Sequence, residues 1–221
     1  MSDDSGQLGA GQAEMGRIDT GVLMSAASDG DRPRSLVGME WIRWLRTARG
    51  RENIAYEFRR WLRGTPRMPS SVSRVLVICQ GNICRSPFAA LLLAERRPDL
   101  EVSSAGLAAS GDDPVQPGAR RVADTMGFDL RPHRSRILTD VEIEWADLIV
   151  GMEGRHVREV ARRWPAHRDK VLILGDFLSS VPRAIPDPWG KPDAVFCRTF
   201  QQILKATEAL SERIESKGSS C

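Results

Sequence analysis

Val75-Leu76-Val77-Ile78-Cys79-Gln80-Gly81-Asn82-Ile83-Cys84-Arg85-Ser86-Pro87 is the stretch from which the rest of the chain can be read. Four apolar, mostly β-branched residues run into a cysteine, the pattern of a strand buried on both faces. A short polar loop containing Gly81 follows. Ser86-Pro87 then opens a helix with Phe88, Leu91, Leu92 and Leu93 on its apolar side. Proline near a helix start forfeits no hydrogen bond, because the N–H there is unpaired anyway. Strand, tight loop and helix N-terminus, in that order, aim backbone N–H groups and the positive end of a helix dipole at one point. That arrangement suits a phosphate-sized dianion. Cys79 and Arg85 stand at the two ends of the loop, in a C-x5-R-S spacing. A sulfur so placed is expected to be largely thiolate near neutral pH. Arg85 can grip two phosphoryl oxygens with its planar fork, and Ser86 can donate to the sulfur. The Gly-Lys-Ser/Thr of a Walker loop is missing.

Outward from this stretch, 221 residues are enough for one α/β domain and an extension. A net charge of +3 does not imply a nucleic-acid partner. No apolar run approaches a membrane span. The opening Ser2-Asp3-Asp4 lacks a leader pattern, and a nucleophilic thiolate needs a reducing compartment, so a cytoplasmic location is expected. Cys79, Cys84, Cys197 and Cys221 show no zinc-type spacing with the three histidines, so neither metal nor cofactor is expected.

Residues 1–35 are rich in Gly, Ser, Ala and Asp and are expected to be disordered. Residues 36–63 read as two basic amphipathic helices. Val37, Trp41, Trp44, Leu45 and Ala48 share a face of the first. After Gly50, the second groups Ile54, Phe58, Trp61 and Leu62 opposite Arg59, Arg60 and Arg63. A hairpin packed on itself or on the domain is expected, with a dimer contact or a membrane-surface contact as alternatives. Residues 64–72 read as a linker, and a chain cut near Ser70 is expected to keep its chemistry. The domain then spans 73–217. Strands are predicted at Arg74–Ile78, Leu100–Ser104, Ala146–Val150 and Val171–Leu174. Helices are predicted after the loop, over Pro114–Met126 and Arg155–Arg163, and at the end, with Phe196, Phe200, Ile203, Leu210 and Ile214 on one face and Gly218 as cap. Alternation of strand and helix predicts an α/β fold. Its core is a central four-stranded parallel sheet with helices on both faces, preceded by the N-terminal helical extension. Ligands of such sheets sit at the carboxyl ends of strands, where Cys79 falls.

Transfer of a phosphoryl group to such a thiolate would also need a proton donor for the leaving group. Asp187, in Ile185-Pro186-Asp187-Pro188-Trp189-Gly190, is the candidate, because flanking prolines restrict the backbone that aims it. Asp176 and Asp193 are the next choices. His156 and His167, among arginines, read as surface residues, and Asp147 as structural.

The run from Cys79 to Pro87 resembles the phosphate loop of the low-molecular-weight protein tyrosine phosphatases, bacterial type, and the resemblance covers roughly Ser73 to Lys217. It implies Cys79 as nucleophile, Arg85 as phosphate ligand and Asp187 as acid, with Gln80, Gly81, Asn82, Ile83, Cys84 and Ser86 completing the loop. It further implies that Ser104 and His133 steady Asn82, and that Cys84 can trap oxidised Cys79 as a disulfide. Leu107 and Trp189 are the candidate walls for the tyrosine ring. The implied substrate is a phosphotyrosine protein, with a bacterial tyrosine kinase of exopolysaccharide export as one source. The alternatives are an arsenate reductase, a protein arginine phosphatase and a phosphotyrosine-binding module. The cysteine relay of the first looks absent. The second would carry threonine in place of Ile83. The third would not need Asp187.

Overall fold

β1 (Arg74–Cys79) lies inside a four-stranded parallel sheet of order β2-β1-β3-β4, with β2 Glu101–Gly106, β3 Leu148–Gly151 and β4 Val171–Ile173. The structure, a computed structural model, describes residues 47–64, 67–179 and 182–214. Residues 1–35, most of the first extension helix and the Gly218 cap therefore lie outside the described residues. The strands alternate the faces they fill. Val75, Val77 and Cys79 pack with α2 (Arg85–Arg96), α3 (Pro117–Thr125) and the long α6 (Asp193–Arg213). Leu76 and Ile78 pack with α4 (Asp140–Trp145) and α5 (Gly154–Arg163). Helices thus cover both faces, which is why β1 reads as a continuous apolar run.

Element ends differ from the predictions for local reasons. α3 starts at Pro117 because Gln116 caps it, its side-chain oxygen accepting from Ala119 N at 3.0 Å. α4 has no counterpart among the predicted helices, although Thr139-Asp140-Val141-Glu142 is a capping-box sequence. Glu142 accepts from Thr139 N at 2.8 Å. Asp147 precedes β3 and accepts from the N–H groups of Ser73 and Arg74, pinning the start of β1.

The extension helix α1 (Ala48–Arg63) departs most from expectation. Gly50 does not break it. Thr47 caps the helix by accepting from Gly50 N at 3.0 Å. The helix packs on α5 with its polar side inward. Asn53 accepts from Gly154 N at 2.9 Å, and Tyr56 donates to Asp176. A Cβ at residue 154 would lie 2.6 Å from the Cβ of Tyr56, so only glycine permits this approach. The predicted apolar face points outward, with Phe58 58 % and Trp61 78 % exposed. No described helix is long and apolar enough to cross a membrane.

Phe88 anchors the larger core. It stacks on Phe200 at 4.0 Å between centroids and meets Phe128 edge-on at 5.4 Å. Phe88→Ala is expected to cost about 3–5 kcal/mol of stability, read as a lower denaturant midpoint in equilibrium unfolding.

Candidate active site

The loop from Cys79 to Arg85 leaves the carboxyl end of β1 with its carbonyls turned outward. Leu107 N donates to the Cys79 carbonyl, Ala108 N to that of Gln80 and Gln116 N to that of Ile83. His133 Nε2 meets the Asn82 carbonyl at 2.8 Å. Among the described residues, no backbone carbonyl accepts from the N–H groups of Gly81, Ile83 or Cys84. Such a ring of N–H groups at the start of α2 is an anion cradle. No side chain caps the N-terminus of α2, so the helix adds its own unpaired donors.

Asn82 makes this geometry possible. Its φ of 54° is left-handed, a conformation L residues rarely hold. Its side-chain amide donates to Ser86 Oγ and Ser104 Oγ, both at 2.9 Å, and its Oδ1 accepts from Arg136 N at 2.9 Å. Asn82 N and Ser86 Oγ donate to Cys79 Sγ at 3.3 and 3.0 Å. Burial holds His133 below the ordinary imidazole range against the raising effect of the Asn82 carbonyl, so the ring is neutral and donates through Nε2. Gly106, at the end of β2, admits the loop: a Cβ there would lie 2.9 Å from the Gln80 carbonyl oxygen.

Arg85 is buried. Its Nη1 donates to Glu153 Oε1 at 2.5 Å and to the Ile185 carbonyl at 3.0 Å, and its Nη2 pairs with Asp187 Oδ2 at 2.9 Å. Its Nε, also buried, has no hydrogen-bond partner among the described residues. Burial opposes the guanidinium charge, but Glu153, Asp187 and Cys79 outweigh it and raise Arg85 above its ordinary value. Cys79, Gln80, Gly81, Ile83, Cys84, Arg85, Asp187 and Trp189 line one pocket of about 190 Å³. Trp189 N donates to Asp187 Oδ1 at 3.3 Å, which holds the carboxylate over the loop.

Several predicted residues stand elsewhere. Leu107 is not part of the lining of this pocket. It is buried in the core under α4 and α5 and borders a neighbouring cleft, because its N–H is taken up in holding the loop. His156 is not a surface residue. It is fully buried, and its Nδ1 accepts from Met152 N at 3.0 Å. His167 is half-buried. Asp176 is spent on Tyr56, Arg60 and Ile173 N, and Asp193 pairs with Arg121 at the surface, so neither reaches the pocket.

Two residues escaped the sequence reading. Glu153 follows β3, the strand beside β1, and its place at the carboxyl end of a parallel strand was the available signal. Arg155 donates to Gln80 Oε1 at 2.9 Å and lies 3.8 Å from Asp187. No spacing signal marks it.

The loop that carries Asp187 is tied to the extension. Glu57 accepts from Arg183 N at 2.7 Å and from the Arg183 guanidinium. Ile185 N donates to the Met152 carbonyl at 2.8 Å. Helix α1 therefore braces the segment leading to Asp187.

Residues 74–220 match the family described as low molecular weight phosphotyrosine protein phosphatase. A probable low molecular weight protein-tyrosine-phosphatase, EpsP of Ralstonia nicotianae, is 35 % identical over 147 residues, 66 % of this chain and 99 % of that protein. A protein-arginine-phosphatase of Geobacillus stearothermophilus is 32 % identical over 145 residues, 65 % of this chain and 97 % of that protein. The crystal structure of the tyrosine phosphatase Wzb from Escherichia coli K30 with sulphate superposes with a TM-score of 0.63 at 34 % identity, covering 65 % of this chain and 99 % of that one.

Burial pushes the Cys84 thiol up to about 12, helped by Cys79 and Asp187. Near neutral pH, iodoacetate should therefore carboxymethylate Cys79 and spare Cys84, as peptide mapping by mass spectrometry would read. Glu57→Ala should lower turnover by about tenfold, since sub-ångström misplacement of a reacting group is costly, while carboxymethylation of Cys79 continues unchanged.

Proposed function

Because this chain belongs to the low molecular weight phosphotyrosine protein phosphatases, we propose that it hydrolyses phosphotyrosine in proteins through a phosphocysteine intermediate. The single observation that carries this reading is that Cys79, Arg85 and Asp187 line one small pocket over a loop whose N–H groups face inward.

In the first step Cys79 Sγ attacks phosphorus. The S–P bond forms as the bond from phosphorus to the phenolic oxygen breaks. Asp187 gives its proton to that oxygen, and tyrosine leaves. Arg85 and the loop N–H groups hold the equatorial oxygens, whose charge is spread in the transition state. In the second step water attacks the phosphocysteine, Asp187 takes the water's proton, and the S–P bond breaks to release orthophosphate and the thiolate. Ser86 and Asn82 N, both donating to Sγ, stabilise the sulfur as leaving group. Glu153 keeps Arg85 in place, and Ser104 and His133 act through Asn82.

The arginine phosphatase reading is weaker. Ile83 lines the pocket with an apolar side chain and, with Trp189, suits an aromatic ring better than a guanidinium. The bacterial relatives support a protein substrate, and a bacterial tyrosine kinase of exopolysaccharide export is the source we put forward.

Cys79→Ser should abolish turnover of any aryl phosphate. Asp187→Ala discriminates further. A tyrosine phenol has a pKa of about 10, so expelling it unprotonated is costly, and a positioned acid contributes about 10²- to 10⁴-fold. Single-turnover formation of the phosphocysteine should thus fall far more for phosphotyrosine than for a nitrophenyl phosphate. Equal losses would remove Asp187 from the role of acid.

A further inference from the structure

We propose that the clefts running from the phosphate loop along α5 to α1 bind an acidic polypeptide segment flanking the substrate phosphotyrosine, an inference that rests on the phosphatase reading above. The pocket over Cys79 shares Gln80 with a second cleft of about 390 Å³, whose walls include Arg155, Arg158 and Arg163. That cleft shares Glu52 and Arg158 with a third of about 440 Å³. The third shares Arg59 and Arg158 with a fourth of about 660 Å³, between α1 and the end of α5. Together the three carry eight arginines against three carboxylates, Glu52, Glu159 and Asp169. With Asp176 and Glu153, which pair with Arg60 and Arg155 from behind the walls, the clefts still keep a surplus of three positive charges beside the active site.

Arg155, Arg163 and Arg168 are held by Glu153, Glu159 and Asp169, but two of the arginines are presented rather than spent. Arg59 and Arg67 make no ion pair among the described residues, and both line the cleft of about 660 Å³. Arg60 and Arg158 are anchored from one side, by buried Asp176 and by Glu52, which fixes their guanidinium planes for further contacts. Carboxylates and phosphate esters are the groups that such forks bind. A polypeptide fits better than a lipid surface. The track is walled by α1 and α5, and it begins at the pocket that receives the phosphoryl group. A ligand lying in it is therefore continuous with the reacting side chain, whereas a flat bilayer would meet only its rim. One wall comes from residues before 74, outside the family match, so this track is an addition to the family's domain.

The test uses the full chain and two phosphotyrosine peptides of equal length, one with Asp and Glu around the phosphotyrosine and one with Ser and Gly. A nitrophenyl phosphate serves as the reference. At low salt, kcat/KM for the acidic peptide should exceed that for the neutral one by about tenfold, the scale of electrostatic steering into a charged cleft. The advantage should shrink in high salt. It should disappear in the double variant Arg59→Glu and Arg67→Glu, with turnover of the nitrophenyl phosphate unchanged, which also reports that the variant is folded. Equal kcat/KM for the two peptides would overturn the proposal, as would an advantage that survives both charge reversals. Binding to phosphatidylserine vesicles without any peptide preference would assign the arginines to a membrane instead. Failure to turn over the nitrophenyl phosphate in the wild-type protein would strike the phosphatase reading and this inference with it, whereas equal kcat/KM for the two peptides strikes this inference alone.

Discussion

Asn82 holds a left-handed backbone in the middle of the phosphate loop, and the inward direction of the loop N–H groups depends on it. The conformation costs on the order of 1–3 kcal/mol. It persists because Asn82 is bonded at every polar group: N–H to Cys79, amide to Ser86 and Ser104, Oδ1 to Arg136 and carbonyl to His133. β2 contributes Ser104 and Gly106, so sheet register and loop shape are linked. In β1–β2 pairing, Val77 faces Ser104 and Cys79 faces Gly106. A slip of one residue would remove both the hydroxyl and the space the loop occupies.

Arg85 adds a second constraint. A buried guanidinium is tolerated only when paired, and Glu153 supplies the pairing from the neighbouring strand. The sheet order β2-β1-β3-β4 puts the ends of β1 and β3 side by side at the point where the connections diverge. Loss of Glu153 would leave the Arg85 charge with Asp187 as its remaining carboxylate partner within 4 Å. The existing pair between Arg85 and Asp187 would then have to balance that charge alone.

Helix α1 joins these parts to the rest of the chain. Tyr56, the only tyrosine of the sequence, is kept a phenol by burial and by Asp176, so it donates to that carboxylate. Asp176 is thereby fixed against Arg60 and Ile173 N, and Glu57 restrains Arg183 a few residues before Asp187. The extension thus contributes twice: it braces the segment leading to Asp187 on one side and walls the arginine-lined clefts on the other.

Much of the site was legible in the sequence because its parts are local. The strand, the cysteine, the glycine-containing turn and the helix start of 75–87 follow one another within one loop. Side-chain type and spacing there already specify an anion cradle. The apolar face of α6 was equally plain, since Phe196, Phe200 and Ile203 recur at helical spacing and all are buried. What tertiary structure decided is long-range pairing. Glu153 meets Arg85 across 68 residues, Tyr56 meets Asp176 across 120, and Glu57 meets Arg183 across 126. Periodicity ranks residues by their affinity for an apolar interior, so it assigned Phe58 and Trp61 to the buried side of α1. The folded chain instead buries Asn53 and Tyr56, because distant groups of the domain satisfy their hydrogen bonds and a polar face so satisfied can be removed from water.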